Sequence, residues 1–137
     1  MTVNKCEIMP WDELMKPGTR GREARDAVRY AADQKITLPS GVPIVPNIDK
    51  AILDVVTIGE GRLDMGEWHT CRTTHCRAGW AVILAGKAGS ALEDALGPEY
   101  AGALIYAASR PNKPIPNFFV TDEQAMRSIR KDAGCVD

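Results

Sequence analysis

The sequence contains no stretch near the ~20 consecutive apolar residues that a membrane span needs. Its longest apolar run, Trp80 to Ala85, is closed off by Gly79 and Gly86, which excludes a spanning helix. The N-terminus lacks the uninterrupted apolar segment of a secretory signal, because Glu7, Pro10, Asp12 and Glu13 break it, so the cytoplasm is the expected compartment. Charge of one sign is missing too. The 17 Lys and Arg stand against 18 Asp and Glu, leaving no global field to draw in nucleic acid or anionic lipid. Aromatic residues are scarce at 6%, yet 45% of the chain is apolar. A single domain of this length buries roughly two thirds of its unfolded surface, so no disulfide framework is needed to hold it. Also absent are a glycine-rich phosphate loop, an acidic metal cluster, and the Ser-x-x-Lys and Gly-x-Ser-x-Gly elements of acyl transfer.

What is present reads as a mainly α fold of about five or six short helices, with an N-terminal arm over 1–20 and one helical domain over 21–137. Pro10 can open a helical turn that groups Trp11, Leu14 and Met15 into a docking surface, ended by Pro17 and Gly18. From Arg22 to Gln34, Ala24, Ala27, Val28 and Ala31 recur at helical spacing. Arg20, Arg22, Arg25 and Arg29 line another face, interleaved with Glu23 and Asp26, which reads more readily as a solvated face than as a phosphate contact. Pro39, Pro43 and Pro46 restrict 35–46 to a small extended strap or hairpin. Asn47 caps a helix whose apolar stripe is Ile48, Ala51, Ile52, Val55 and Val56. The spacing predicts a nearly all-apolar central helix over about 73–85, capped by Thr73 or Thr74. Short helices follow over Ser90–Leu96 and from Pro98, and a capping box at Thr121–Gln124 opens the last.

Both histidines and two of the four cysteines fall between His69 and Cys76. Three accounts compete for this loop-to-helix junction. His69, Cys71, His75 and Cys76 are all zinc ligands and could close a tetrahedral site, although adjacent His75 and Cys76 do not match the usual separated pairs. A reactive thiol is the second: Cys76 near a helix start would have a lowered pKa, with Cys71 as resolving partner and His75 or His69 as base. The third is purely structural. Here the threonines cap the helix, both cysteines pack beneath the turn, Cys76 shares an inward stripe with Trp80 and Ile83, and the histidines bond backbone carbonyls. No carboxylate within the motif is placed to orient a histidine; Asp64 and Glu67 are the nearest. Cys6 and Cys135, near opposite termini, are expected as free thiols.

The run Trp68-His69-x-Cys71-x-Thr73-Thr74-His75-Cys76-Arg77-Ala78-Gly79-Trp80, with Leu84-Ala85-Gly86, Ile105-Tyr106, Phe118-Phe119 and Thr121-Asp122-Glu123 after it, resembles a group of small uncharacterised proteins encoded by phages, prophages and bacteria. In some of them a similar stretch stands beside pentapeptide repeats. The resemblance spans about residues 47–133 and implies an origin and a shared junction rather than a reaction. Members of that group often carry Gly after the first Cys, where this chain has Arg72. The expectation is a non-enzymatic intracellular interaction module, a phage or prophage accessory protein that binds a host or virion protein. Trp11, Trp68, His69, Thr73, Thr74, His75 and Arg77 are its candidate binding residues, and no cofactor is expected. The alternative is a small thiol- or metal-dependent enzyme or redox protein centred on Cys71, His75 and Cys76. A third reading is nucleic-acid binding through the Arg20–Arg29 stripe.

Overall fold

A computed structural model describes residues 7–16, 21–71 and 73–135, and of Cys71 the backbone only. Within them the chain forms seven helices and two small sheets: β1 (Glu7–Pro10), α1 (Trp11–Leu14), α2 (Gly21–Gln34), β2 (Gly41–Ile44), α3 (Ile48–Thr57), β3 (Arg62–Leu63), β4 (His69–Cys71), β5 (Thr74–His75), α4 (Arg77–Leu84), α5 (Gly86–Leu96), α6 (Pro98–Ser109) and α7 (Asp122–Asp132). The mainly α expectation holds, with one helix more than the upper figure. Cys6, Pro17, Gly18, Arg20, Arg72 and the Cys71 side chain lie outside the described residues, so the expectations placed on them stop there.

The proline-bearing strap is neither free nor a hairpin on itself. Its strand β2 pairs antiparallel with β1 of the arm, from Glu7 opposite Ile44 to Pro10 opposite Gly41. A two-stranded ribbon tolerates Pro43 because no second neighbour asks for its missing N–H. The arm is tied down further by Trp11, whose indole N–H donates to the Pro39 carbonyl at 2.7 Å, and by Leu14, which is fully buried.

Helix α2 buries Ala24, Ala27 and Ala31 and leaves Arg22, Arg25 and Arg29 exposed, as its period demands. It ends in a Schellman turn, with Lys35 in the left-handed region and the Ile36 N–H on the Ala31 carbonyl. Asn47 precedes α3 but in a left-handed conformation, and its side chain makes no capping bond. At α7 the capping box forms in full between Thr121 and Gln124.

The central helix is a correction. It begins at Arg77 rather than 73, because Thr74 and His75 are taken up as strand β5, the middle of a three-stranded sheet in the order β3-β5-β4. Neither threonine caps it; Cys76 does, its Sγ accepting the Gly79 N–H at 3.3 Å. Helix α4 then packs against α6, α5 and α3 with Arg77 to Val82 buried. It is not enclosed all round, since Ile83 turns 42% of its surface to solvent. Close approach to α6 rests on Gly102, where a Cβ would stand 2.6 Å from that of Ala78.

Candidate functional site

The junction of β4, β5 and α4 is built around Gly79. A Cβ there would collide with the Trp68 carbonyl and press on His75 Cβ (3.0 Å) and His69 Cε1 (3.2 Å), so the glycine is what lets the β4 segment lie down on α4. In the space this opens, His69 Nδ1 and His75 Nδ1 stand 2.7 Å apart, and His69 Nε2 meets Glu93 Oε2 of α5 at 2.6 Å. His75 is buried and lies edge-on to the Trp80 ring, while the side chain of His69 keeps 30% of its surface. Two imidazole nitrogens at that separation need one donor and one lone pair, so the pair holds one proton on its shared axis. For His69 the expected backbone-carbonyl partner is replaced by this carboxylate–histidine–histidine chain. A carboxylate does orient a histidine here; it comes from outside the motif. Glu93 was findable in the sequence only as a lone acid on the Gly89–Glu93–Leu96 stripe of α5.

Cys76 is buried, and burial pushes its thiol pKa up, only partly offset by the Gly79 and Ala78 amides. That overturns the reactive-thiol account's lowered thiolate, since desolvation outweighs the helix start, and agrees with the structural account, which packs Cys76 beneath the turn. No three His, Cys, Asp or Glu side chains among the described residues converge as a ligand set.

Arg77, expected at a binding surface, points the other way. It is 1% exposed and at the centre of an ionic cluster joining α3, α4, α6 and α7. Its Nη2 bonds Asp49 (2.7 Å) and Asp132 (3.1 Å), its Nε donates to Tyr106 OH (2.8 Å), and its Nη1 to Ser128 Oγ (2.9 Å). Arg110 bonds Asp49 and Asp132 at 2.7 Å each, and the Tyr106 hydroxyl donates to Asp49 at 2.8 Å. Both guanidinium carbons lie over the Tyr106 ring, at 5.2 and 5.0 Å. Burial drives the Tyr106 pKa far up, keeping it a neutral donor. Burial alone would raise Asp132, but the bonds from Arg110 and Arg77 outweigh it and hold its carboxyl below the usual aspartate value. Sequence reasoning missed Asp49, although it stands at i−3 and i−4 to buried Ile52 and Leu53, a carboxylate on the apolar stripe.

On the outer side, the 64–68 link is fastened by carboxylates: Asp122 accepts the Met65 N–H at 2.7 Å and Asp64 the Gly66 N–H at 2.9 Å. This holds up Trp68 as a ridge between two hollows. One, of about 480 Å³, is lined by Tyr30, Trp68, Leu96, Pro98, Glu99 and Tyr100. The other, of about 200 Å³, is lined by Met65, Gly66, Glu67, Trp68, Phe118 and Phe119. Phe119 stacks edge-on against Trp68 at 5.8 Å and remains 70% exposed. Of the expected binding residues, then, Trp68 lines both hollows, His69 is partly exposed at the junction, Thr73 is exposed and Thr74 half-buried, His75 and Arg77 are interior, and Trp11 is docked on the strap. No family model, curated protein or solved structure matches this chain.

Proposed function

We propose that this chain is a non-enzymatic protein-binding module whose partner-facing surface is the Trp68 ridge with its two hollows. The observation that carries this reading is Phe119, bare over 70% of its surface while stacked on a half-buried tryptophan. Aromatic side chains so placed serve as anchors of interfaces. The arm contributes less than its sequence promised, because Leu14 is spent in the core and the Trp11 indole on Pro39.

The walls favour one partner chemistry. Tyr30, Tyr100, Trp68 and Phe119 offer flat apolar faces of the kind that take an extended, proline-bearing segment, and the charged side chains that line both hollows, Glu67 and Glu99, are acidic. The occupant is therefore a basic, proline-bearing segment of another protein. The motif's resemblance to small phage, prophage and bacterial proteins supports an accessory role inside the cell, with a host or virion protein as the partner.

Fluorescence anisotropy with labelled proline-containing peptides tests the reading. A peptide flanked by Arg and Lys is expected to bind and its Glu-flanked counterpart not to, and Phe119→Ser, at a position too exposed to matter for folding, should weaken binding roughly tenfold. Binding by neither peptide, or binding indifferent to Phe119→Ser, would overturn it.

A further inference from the structure

We infer that the paired histidines of the junction are two ligands of a divalent d-block cation of the zinc class, with Glu93 as the carboxylate that orients one of them. The inference goes beyond the docking face and does not depend on it. Three features converge. His69 and His75 present the same ring nitrogen, Nδ1, to one point from neighbouring antiparallel strands, with His69 opposite His75 beside a bulge. The far nitrogen of His69 is held by Glu93 at 2.6 Å, as metal-bound imidazoles typically are by an outer carboxylate that fixes the tautomer and raises basicity. The glycine beneath, Gly79, leaves the rings free of a side chain below them.

The separation is compatible with a cation. Two nitrogens at zinc bond lengths and a tetrahedral angle stand about 3.3 Å apart, so the 2.7 Å axis must open by roughly 0.6 Å as its proton leaves. On loading, His75 gives up the bridging Nδ1 proton and takes one up at Nε2, so the ring stays neutral with no net proton released, and each Nδ1 then gives its lone pair to the metal. The other positions of a tetrahedral shell fall to water. Binding there would clamp β4 to β5 directly beneath Trp68.

The test is a cobalt(II) titration of the reduced full chain, followed by absorbance, with zinc competition to obtain the affinity. One cobalt per chain is expected, displaced by zinc. His69→Ala, at a partly exposed position, should abolish binding, and Glu93→Gln should weaken it 10- to 100-fold while leaving the stoichiometry unchanged. No cobalt spectrum at millimolar metal, or the same affinity in His69→Ala, would overturn the assignment. Circular dichroism of both variants separates loss of ligand from loss of fold: a folded His69→Ala chain that still binds refutes it, and an unfolded one transfers the decision to Glu93→Gln.

Discussion

At the scale of single residues, environment overrules residue type. A cysteine in a Cys–His motif suggests a nucleophile, yet Cys76 is enclosed, its sulfur is spent as the helix cap, and burial raises its pKa. Cys135 is exposed. Iodoacetamide at mildly alkaline pH should therefore alkylate Cys135 in the folded protein and reach Cys76 only after denaturation; peptide mapping reads the order, and comparable rates for the two would contradict the burial. Asp132 gives a pH dependence whose sign follows from its lowered pKa. A carboxyl depressed in the folded state contributes stability that is complete above the unfolded aspartate value of about 3.9 and is lost as pH falls through the folded pKa. Asp132→Asn should lower stability at neutral pH and flatten the decline below about pH 4 in urea melts. The same loss at every pH would assign Asp132 no titrating role. The inward turn of Cys76 was legible in its stripe with Trp80, but the state of Asp132 was not, because it is fixed by Arg110 and Arg77, which lie 22 and 55 positions away.

Among the elements, local signals were legible where they close on themselves. The Thr121 capping box, Pro98 at the start of α6, Gly97 before it and Gly134 after α7 all do what their chemistry prescribes. The start of α4 was not legible, because a parallel pairing with Arg62 and Leu63 draws Thr74 and His75 into a strand, and pairing between segments a dozen residues apart leaves no period in the sequence. The strap was read correctly as extended, but its partner β1 could not be named. Gly79 is where these elements depend on one residue. Gly79→Ala gains about 1 kcal/mol of helix propensity yet drives a methyl into the Trp68 backbone, and overpacking against main chain costs more. A net loss of about 1 to 2 kcal/mol is expected by chemical denaturation, and a stabilised variant would contradict the close approach of β4 to α4.

Over the whole molecule, one motif faces two ways. Inward, Arg77 knots four helices through Asp49, Tyr106, Arg110 and Asp132; outward, Trp68 stands between two acid-rimmed hollows. Removing Arg77 leaves Arg110 to balance both Asp49 and Asp132, one of them buried, and empties the centre of the cluster. Arg77→Ala should therefore cost about 3 to 5 kcal/mol in urea melts, with a loss under 1 kcal/mol counting against the knot. The sequence marked the 68–80 segment as the centre of interest and placed it beside a buried helix. It could not say which residues turn inward, because that sorting depends on where α3, α5, α6 and α7 put their acids. The most direct test of the outward face uses the three tryptophans as reporters. The Trp11 and Trp80 indoles are committed to the Pro39 and Arg62 carbonyls, while Trp68 lines both hollows. In a proton–nitrogen correlation spectrum titrated with a basic, proline-bearing peptide, the Trp68 indole signal should move to saturation while the other two stay in place. A spectrum in which Trp68 does not move at saturating peptide, or in which Trp11 moves instead, would contradict the docking face.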